Sequence, residues 1–184
     1  MQLARTALAS GNPKEKCAAL GALHRLNFLD YATLREALND PAIEVRRRAL
    51  TLAPRWAGGH GDADREELAR VMAALLDDDG CAEPAAFALG ELEVADPAVV
   101  AGLEHQARHH ADPLCRESAV AALGALGAGR ETVLAAAADV ATVRRRAVIA
   151  LAAFDGPEVD RALRNALEDR DWQVRQVAED LQAE

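Results

Sequence analysis

The chain reads as an all-α protein, an α-solenoid of about six antiparallel helical hairpins in one domain spanning residues 1–184, and three observations predict this. The first is a recurring local pattern: Val45-Arg46-Arg47-Arg48-Ala49, Cys81-Ala82-Glu83-Pro84-Ala85, Cys115-Arg116-Glu117-Ser118-Ala119, Val143-Arg144-Arg145-Arg146-Ala147 and Val174-Arg175-Gln176-Val177-Ala178. Each places a small or β-branched residue first, usually Arg next, and Ala three residues after the Arg station. The anchoring alanines, at 49, 85, 119, 147 and 178, recur at the period of helical-hairpin repeats. The second observation is composition: aromatics are only 3% while 51% of residues are apolar, which favours close-packed helices over sheet. The third is punctuation. Asn12-Pro13, Asp40-Pro41, Asp96-Pro97 and Asp112-Pro113 each set a capping side chain before a proline whose missing N–H costs nothing in the first turn.

Taken in order, the first hairpin pairs a short helix over Leu3 to Ala9 with one over Pro13 to Leu26. It keeps Ala19-Leu20-Gly21 where a later repeat has Ala122-Leu123-Gly124, and Lys16 is read as replacing the anchor Ala. The first helices of the next hairpins follow from apolar residues three and four apart: Leu34 and Leu38; Leu68, Met72 and Leu75; Val99 and Leu103; Val133 and Ala137; Val159, Leu163 and Leu167. The second helices are expected at about Pro41 to Trp56, Cys81 to Leu92, Pro113 to Leu126, Ala141 to Phe154 and Asp171 to Ala183. Gly58-Gly59-His60-Gly61 marks the one longer loop, between the second and third hairpins. Lys14, Lys16, His24 and Arg25 at one end, and Gln173, Gln176, Glu179, Asp180 and Gln182 at the other, suit terminal units whose outer faces meet water.

Hairpins of this length, with Asp-Pro entering the second helix, then Val-Arg, Ala and an Ala-Leu-Gly run, resemble HEAT repeats of the short bacterial kind also seen in phycobilin-lyase-like proteins. Asp112 through Ala119 with Ala122-Leu123-Gly124, and Val143-Arg144 through Leu151, carry the resemblance most specifically. It implies a right-handed superhelix. It also implies a structural ladder in which Arg46, Arg116, Arg144 and Arg175 brace the Asp opening a second helix, interrupted at Ala82. Members of the family mostly act as scaffolds that grip partners along the concave face built from the second helices.

Charge and cysteines narrow the function. With 30 acidic against 21 basic residues the net charge is −9, which disfavours nucleic acid as a partner. No stretch approaches the roughly 20 apolar residues of a membrane span, and the amino terminus lacks a targeting pattern, so a cytoplasmic protein is expected. Three cysteines without a Cys-x-x-Cys pair, two of them at the Val station, read as small buried apolar residues in a reducing compartment.

The candidate contact residues are the two arginine triplets, 46–48 and 144–146, at equivalent stations three hairpins apart. Such clusters would lie on the order of 30 Å apart along one groove. Arg47, Arg48, Arg145 and Arg146 are the expected cations, with Glu83, Glu91 and Glu117 between them, and Arg47 and Arg145 are preferred because Arg grips carboxylate bidentately. The partner expected is a protein or peptide with acidic groups, bound without catalysis and without a cofactor or metal. His105 and His109 stand four apart, but a closed metal site needs further ligands, and neither His-Glu-x-x-His nor a repeated His-Glu pair is present. The glycine loop lacks the strand and the Lys-Ser/Thr of a phosphate loop. Trp56 and Trp172 are expected to seal hairpin interfaces. Two alternatives stand beside the scaffold: a lyase-like or chaperone-like protein acting on a tetrapyrrole-bearing partner, and a HEAT-like DNA glycosylase.

Overall fold

Aspartate and asparagine caps set where several of the helices begin. A computed structural model describes residues 2–183, and in it the side chains of Asn12, Asp30, Asp96 and Asp112 accept main-chain N–H groups from the first turns that follow. Twelve α-helices result, with no strand among the described residues: α1 Gln2–Leu8, α2 Pro13–Arg25, α3 Tyr31–Leu38, α4 Ile43–Ala57, α5 Asp62–Ala73, α6 Ala82–Leu92, α7 Pro97–His109, α8 Pro113–Ala125, α9 Arg130–Ala136, α10 Ala141–Leu151, α11 Pro157–Ala166 and α12 Trp172–Ala183. A 3-10 turn, Ala74–Asp77, extends α5. The expected helices are all present. The largest boundary shift is at the end of α10, which stops at Leu151 rather than Phe154, and α4 starts two residues after Pro41, where Asp40 accepts from the Ala42 N–H.

The chain divides after Leu92 into two compact units. The first holds α1 to α6 as three hairpins, with α2, α4 and α6 in one layer and α3 and α5 adjoining in the other. The second holds α7 to α12 likewise, with α8, α10 and α12 in one layer and α7, α9 and α11 in the other. In both units the repeat pattern supplies the core. Val45, Cys81, Cys115, Val143 and Val174 are buried, and so are Ala49, Ala85, Ala119, Ala147 and Ala178. Alanine at those stations lets neighbouring helices approach closely, while Leu34, Leu50, Leu68 and Leu89 in the first unit and Leu103, Leu123 and Leu151 in the second fill the space between layers. Cys81 and Cys115 are free thiols in this packing, and burial pushes the Cys81 thiol above its ordinary pKa.

Two readings of the sequence are corrected. Lys16 does not stand at the anchor. Ala19 does, buried, and Lys16 occupies the Arg station three residues earlier, so Asn12-Pro13 through Ala19 aligns with Asp112-Pro113 through Ala119. The first hairpin is therefore regular and the Ala19-Leu20-Gly21 alignment shifts by three. The tryptophans also part company. Trp56 is buried, donates its indole N–H to the Leu29 carbonyl at 2.8 Å and stacks on His60 of the glycine loop. Trp172, the first residue of α12, is 64% exposed and seals nothing. Polar residues precede and follow it, so no apolar neighbour in sequence folds over its ring.

Candidate partner-binding face

Arg46, Arg116 and Arg144 each tie two hairpins together, while Arg175 bonds within its own. In the second unit Arg116 holds both carboxylate oxygens of Asp139, through Nε at 2.8 Å and Nη2 at 2.7 Å, and gives Nη1 to the carbonyls of His110 and Ala111 in its own turn. Arg144 repeats this one hairpin later, holding Asp169 at 2.8 and 2.7 Å and donating to the Asp139 carbonyl. Arg175 donates to the Asp169 carbonyl. In the first unit Arg46 donates to the Asp40 and Pro41 carbonyls and pairs with Asp78 at 2.8 Å. Lys16 meets the Asp40 carboxylate at 2.7 Å, a rung that the sequence reading missed. Its signal was present: a cation three residues after Pro13, as Arg116 is after Pro113.

These side chains are structural. The Arg144–Asp169 pair is almost shut from water, with 7% and 15% of the two side chains exposed. The guanidinium hydrogen bonds hold the Asp139 and Asp169 carboxyls below the usual range. For Asp40 burial works the other way, but the Lys16 ammonium and the Ala42 N–H outweigh it. Within the first unit α6 has Ala82 at the Arg station, and in the second the turn before α8 has His110 at the Asp station. The division of the chain falls between those two positions.

The residues next to the ladder face outward, and the two triplets behave differently. In the second unit Arg146 Nη2 lies 3.3 Å and Arg145 Nη2 3.8 Å from the same Glu117 Oε1, and Arg145 also reaches Gln173 at 3.5 Å. Glu117, Arg145 and Arg146, expected as separate stations of alternating sign, are thus one mutually paired cluster on α8 and α10. The first triplet has no such anion, because the station that Glu117 occupies on α8 is held on α2 by Cys17. Arg47 is exposed and Arg48 half-buried, and neither guanidinium has a carboxylate partner among the described residues. Arg48 instead lies over Gly21, 2.6 Å from where a Cβ would stand, and Arg25 reaches the same point at 3.4 Å.

Between α4 and α6 a groove of about 270 Å³ opens beside this cluster. Thr51, Pro54 and Arg55 line it from α4, and Phe87, Ala88 and Glu91 from α6. Phe87 is 61% exposed, an unusual position for a phenylalanine. Proline at 54 has no N–H to give the Leu50 carbonyl four residues back, so that helix acceptor, at the groove, lacks its ordinary donor. Arg55 and Glu91 are both exposed and form no ion pair with each other. Of the expected acidic stations Glu91 therefore borders the groove, Glu83 sits half-buried about two turns earlier on α6, and Glu117 is engaged with its arginines.

Other chemistry is sparse. The His105 and His109 rings lie side by side on α7, centroids 4.9 Å apart and tilted by 50°, and no group of three His, Cys, Asp or Glu is placed to hold a metal ion among the described residues. No helix among them is long and apolar enough to cross a membrane.

No known family model and no curated protein matches the chain. Solved structures do. An engineered protein, a structural-genomics target, is 17% identical with a TM-score of 0.66 and covers 99% of this chain and 96% of its own. A designed armadillo repeat protein in complex with the peptide (KR)4 is 16% identical with a TM-score of 0.66, over 100% of this chain and 99% of that one. A mutant of the karyopherin Kap121p is 15% identical with a TM-score of 0.66, and this chain spans 24% of its length. At such identities the likeness is one of fold, and the chain has the helical-hairpin repeat fold of these armadillo and karyopherin structures.

Proposed function

We propose that this chain is a non-catalytic cytoplasmic scaffold that binds a partner protein or peptide on the exposed face of its second helices. The observation that carries the reading is the α4–α6 groove, where an exposed phenylalanine and uncompensated charges sit on a rigid, repeat-built surface. Burying Phe87 against a partner would remove apolar area from water, and Arg47, Arg48 and Arg55 would gain the carboxylates that the chain itself does not give them. A designed protein of the same fold holding a peptide supports the reading. There the peptide is basic. The free cations of α4 favour a partner of opposite sign. In the second unit Arg145 and Arg146 would act only by exchanging Glu117 for a partner's carboxylate, which makes them weaker contacts than Arg47 and Arg48.

A photo-crosslinking residue tests this. Placed at Thr51 on α4, it should capture a discrete protein from extract of the source cells, whereas the same residue at Arg70 on the other layer should not. Equal capture at both positions, or none at either, would refute the assignment of the face.

A further inference from the structure

The partner's local chemistry can be read from the first unit. This inference rests on the scaffold reading and deepens it. The groove between α4 and α6 offers an apolar floor at Phe87, Pro54 and Ala88, which suits an apolar side chain of an extended peptide. One helix row away, Arg25 of α2 and Arg48 of α4 converge over Gly21. Their guanidinium nitrogens lie 3.4 and 2.6 Å from a common point, so the two cations are at most about 6 Å apart, and neither has a carboxylate among the described residues. Two like charges held that close without a counterion lose mutual repulsion when one carboxylate bridges them. Gly21 makes the approach possible, since any larger residue would push the Arg48 head away.

Adjacent helices pack about 8–10 Å apart, and an extended chain advances about 3.3 Å per residue, so the two subsites are about three residues apart. We propose that the first unit recognises an extended, acidic peptide segment of a partner protein in which an apolar side chain rests on Phe87 and an Asp or Glu three positions away bridges Arg25 and Arg48. Arg47 and Arg55, exposed and unpaired on the same helix, favour further acidic residues around that core.

The test is selection of a phage-displayed library of random 12-residue peptides on the full chain, followed by fluorescence anisotropy of the enriched sequences. The expected result is a shared apolar residue with an acidic one three positions away. Binding should weaken about tenfold in Phe87→Ala and in Arg25→Gln/Arg48→Gln, and remain unchanged in Arg70→Gln on the other layer. All four residues are partly or fully exposed, and circular dichroism of each variant checks that the helices persist. Failure to enrich any sequence, enrichment without that spacing, or indifference to Phe87→Ala overturns the proposal. If Thr51 still crosslinks a protein in that case, the scaffold reading survives and only the peptide chemistry falls. If Thr51 crosslinks nothing as well, both fall.

Discussion

Replacing Arg144 with Ala should be the most damaging single change at a charged residue of the second unit. The substitution removes two hydrogen bonds to Asp169 and one to the Asp139 carbonyl, and leaves the Asp169 carboxylate facing a protein interior with only the Asp171 N–H, at 2.8 Å, still bound. Breaking a buried ion pair from one side costs about 3–5 kcal/mol. Because 15% of the Asp169 side chain reaches water and one N–H remains, the lower end applies, about 3 kcal/mol. The gain in helix propensity from Arg to Ala is about 0.2 kcal/mol and cannot mask it. The control is Arg145→Ala, whose 32% exposed side chain lies 3.8 Å from a Glu117 that keeps Arg146, so about 0.5 kcal/mol is expected. Urea unfolding of the full chain at neutral pH, followed by circular dichroism, measures both. An Arg144→Ala cost below about 1 kcal/mol, or one equal to that of Arg145→Ala, would refute the ladder as a source of stability.

Three further outcomes follow from the same geometry. Asp139 and Asp169 have carboxyl pKa values depressed in the folded state, so their contribution is complete above the ordinary Asp value of about 4 and is lost as the pH falls through the depressed values. Urea midpoints should therefore drop on acidification below about pH 4, and drop less in Arg144→Ala, where Asp169 has lost its main partner; an identical pH slope in the two proteins would contradict this. Gly124→Ala should destabilise despite about 1 kcal/mol of better helix propensity, because its Cβ would lie 2.6 Å from the Ala150 Cβ and 2.9 Å from the Ala150 Cα, and a backbone atom cannot rotate away. The melting temperature should fall, while Gly11→Ala, with nothing within 4 Å, leaves it level or higher. Trp56→Phe leaves the buried Leu29 carbonyl without its indole donor and should cost about 1–2 kcal/mol in denaturant unfolding, whereas Trp172→Phe should be neutral.

The sequence by itself determined the repeat and the class. Val-Arg-x-x-Ala can be read without coordinates because it is local: the small residue and the Ala face the same core on one helix, whereas the carboxylate that the Arg between them holds lies a whole hairpin away, as Asp139 does from Arg116. For the same reason the helix starts were legible at Asn12, Asp96 and Asp112, where the cap oxygen and the N–H that donates to it lie two residues apart. Lys16 was misplaced because its spacing from Pro13, which matches that of Arg116 from Pro113, was passed over, and its contact with Asp40, 24 residues on, fixes the register. The fate of the two triplets was likewise invisible in the sequence. Arg47-Arg48 and Arg145-Arg146 are identical locally, and what separates them is one residue on the preceding second helix, Cys17 against Glu117. Whether an arginine is free or paired depends on which side chain the neighbouring hairpin sets beside it, and that is fixed by packing across helices rather than by spacing along one.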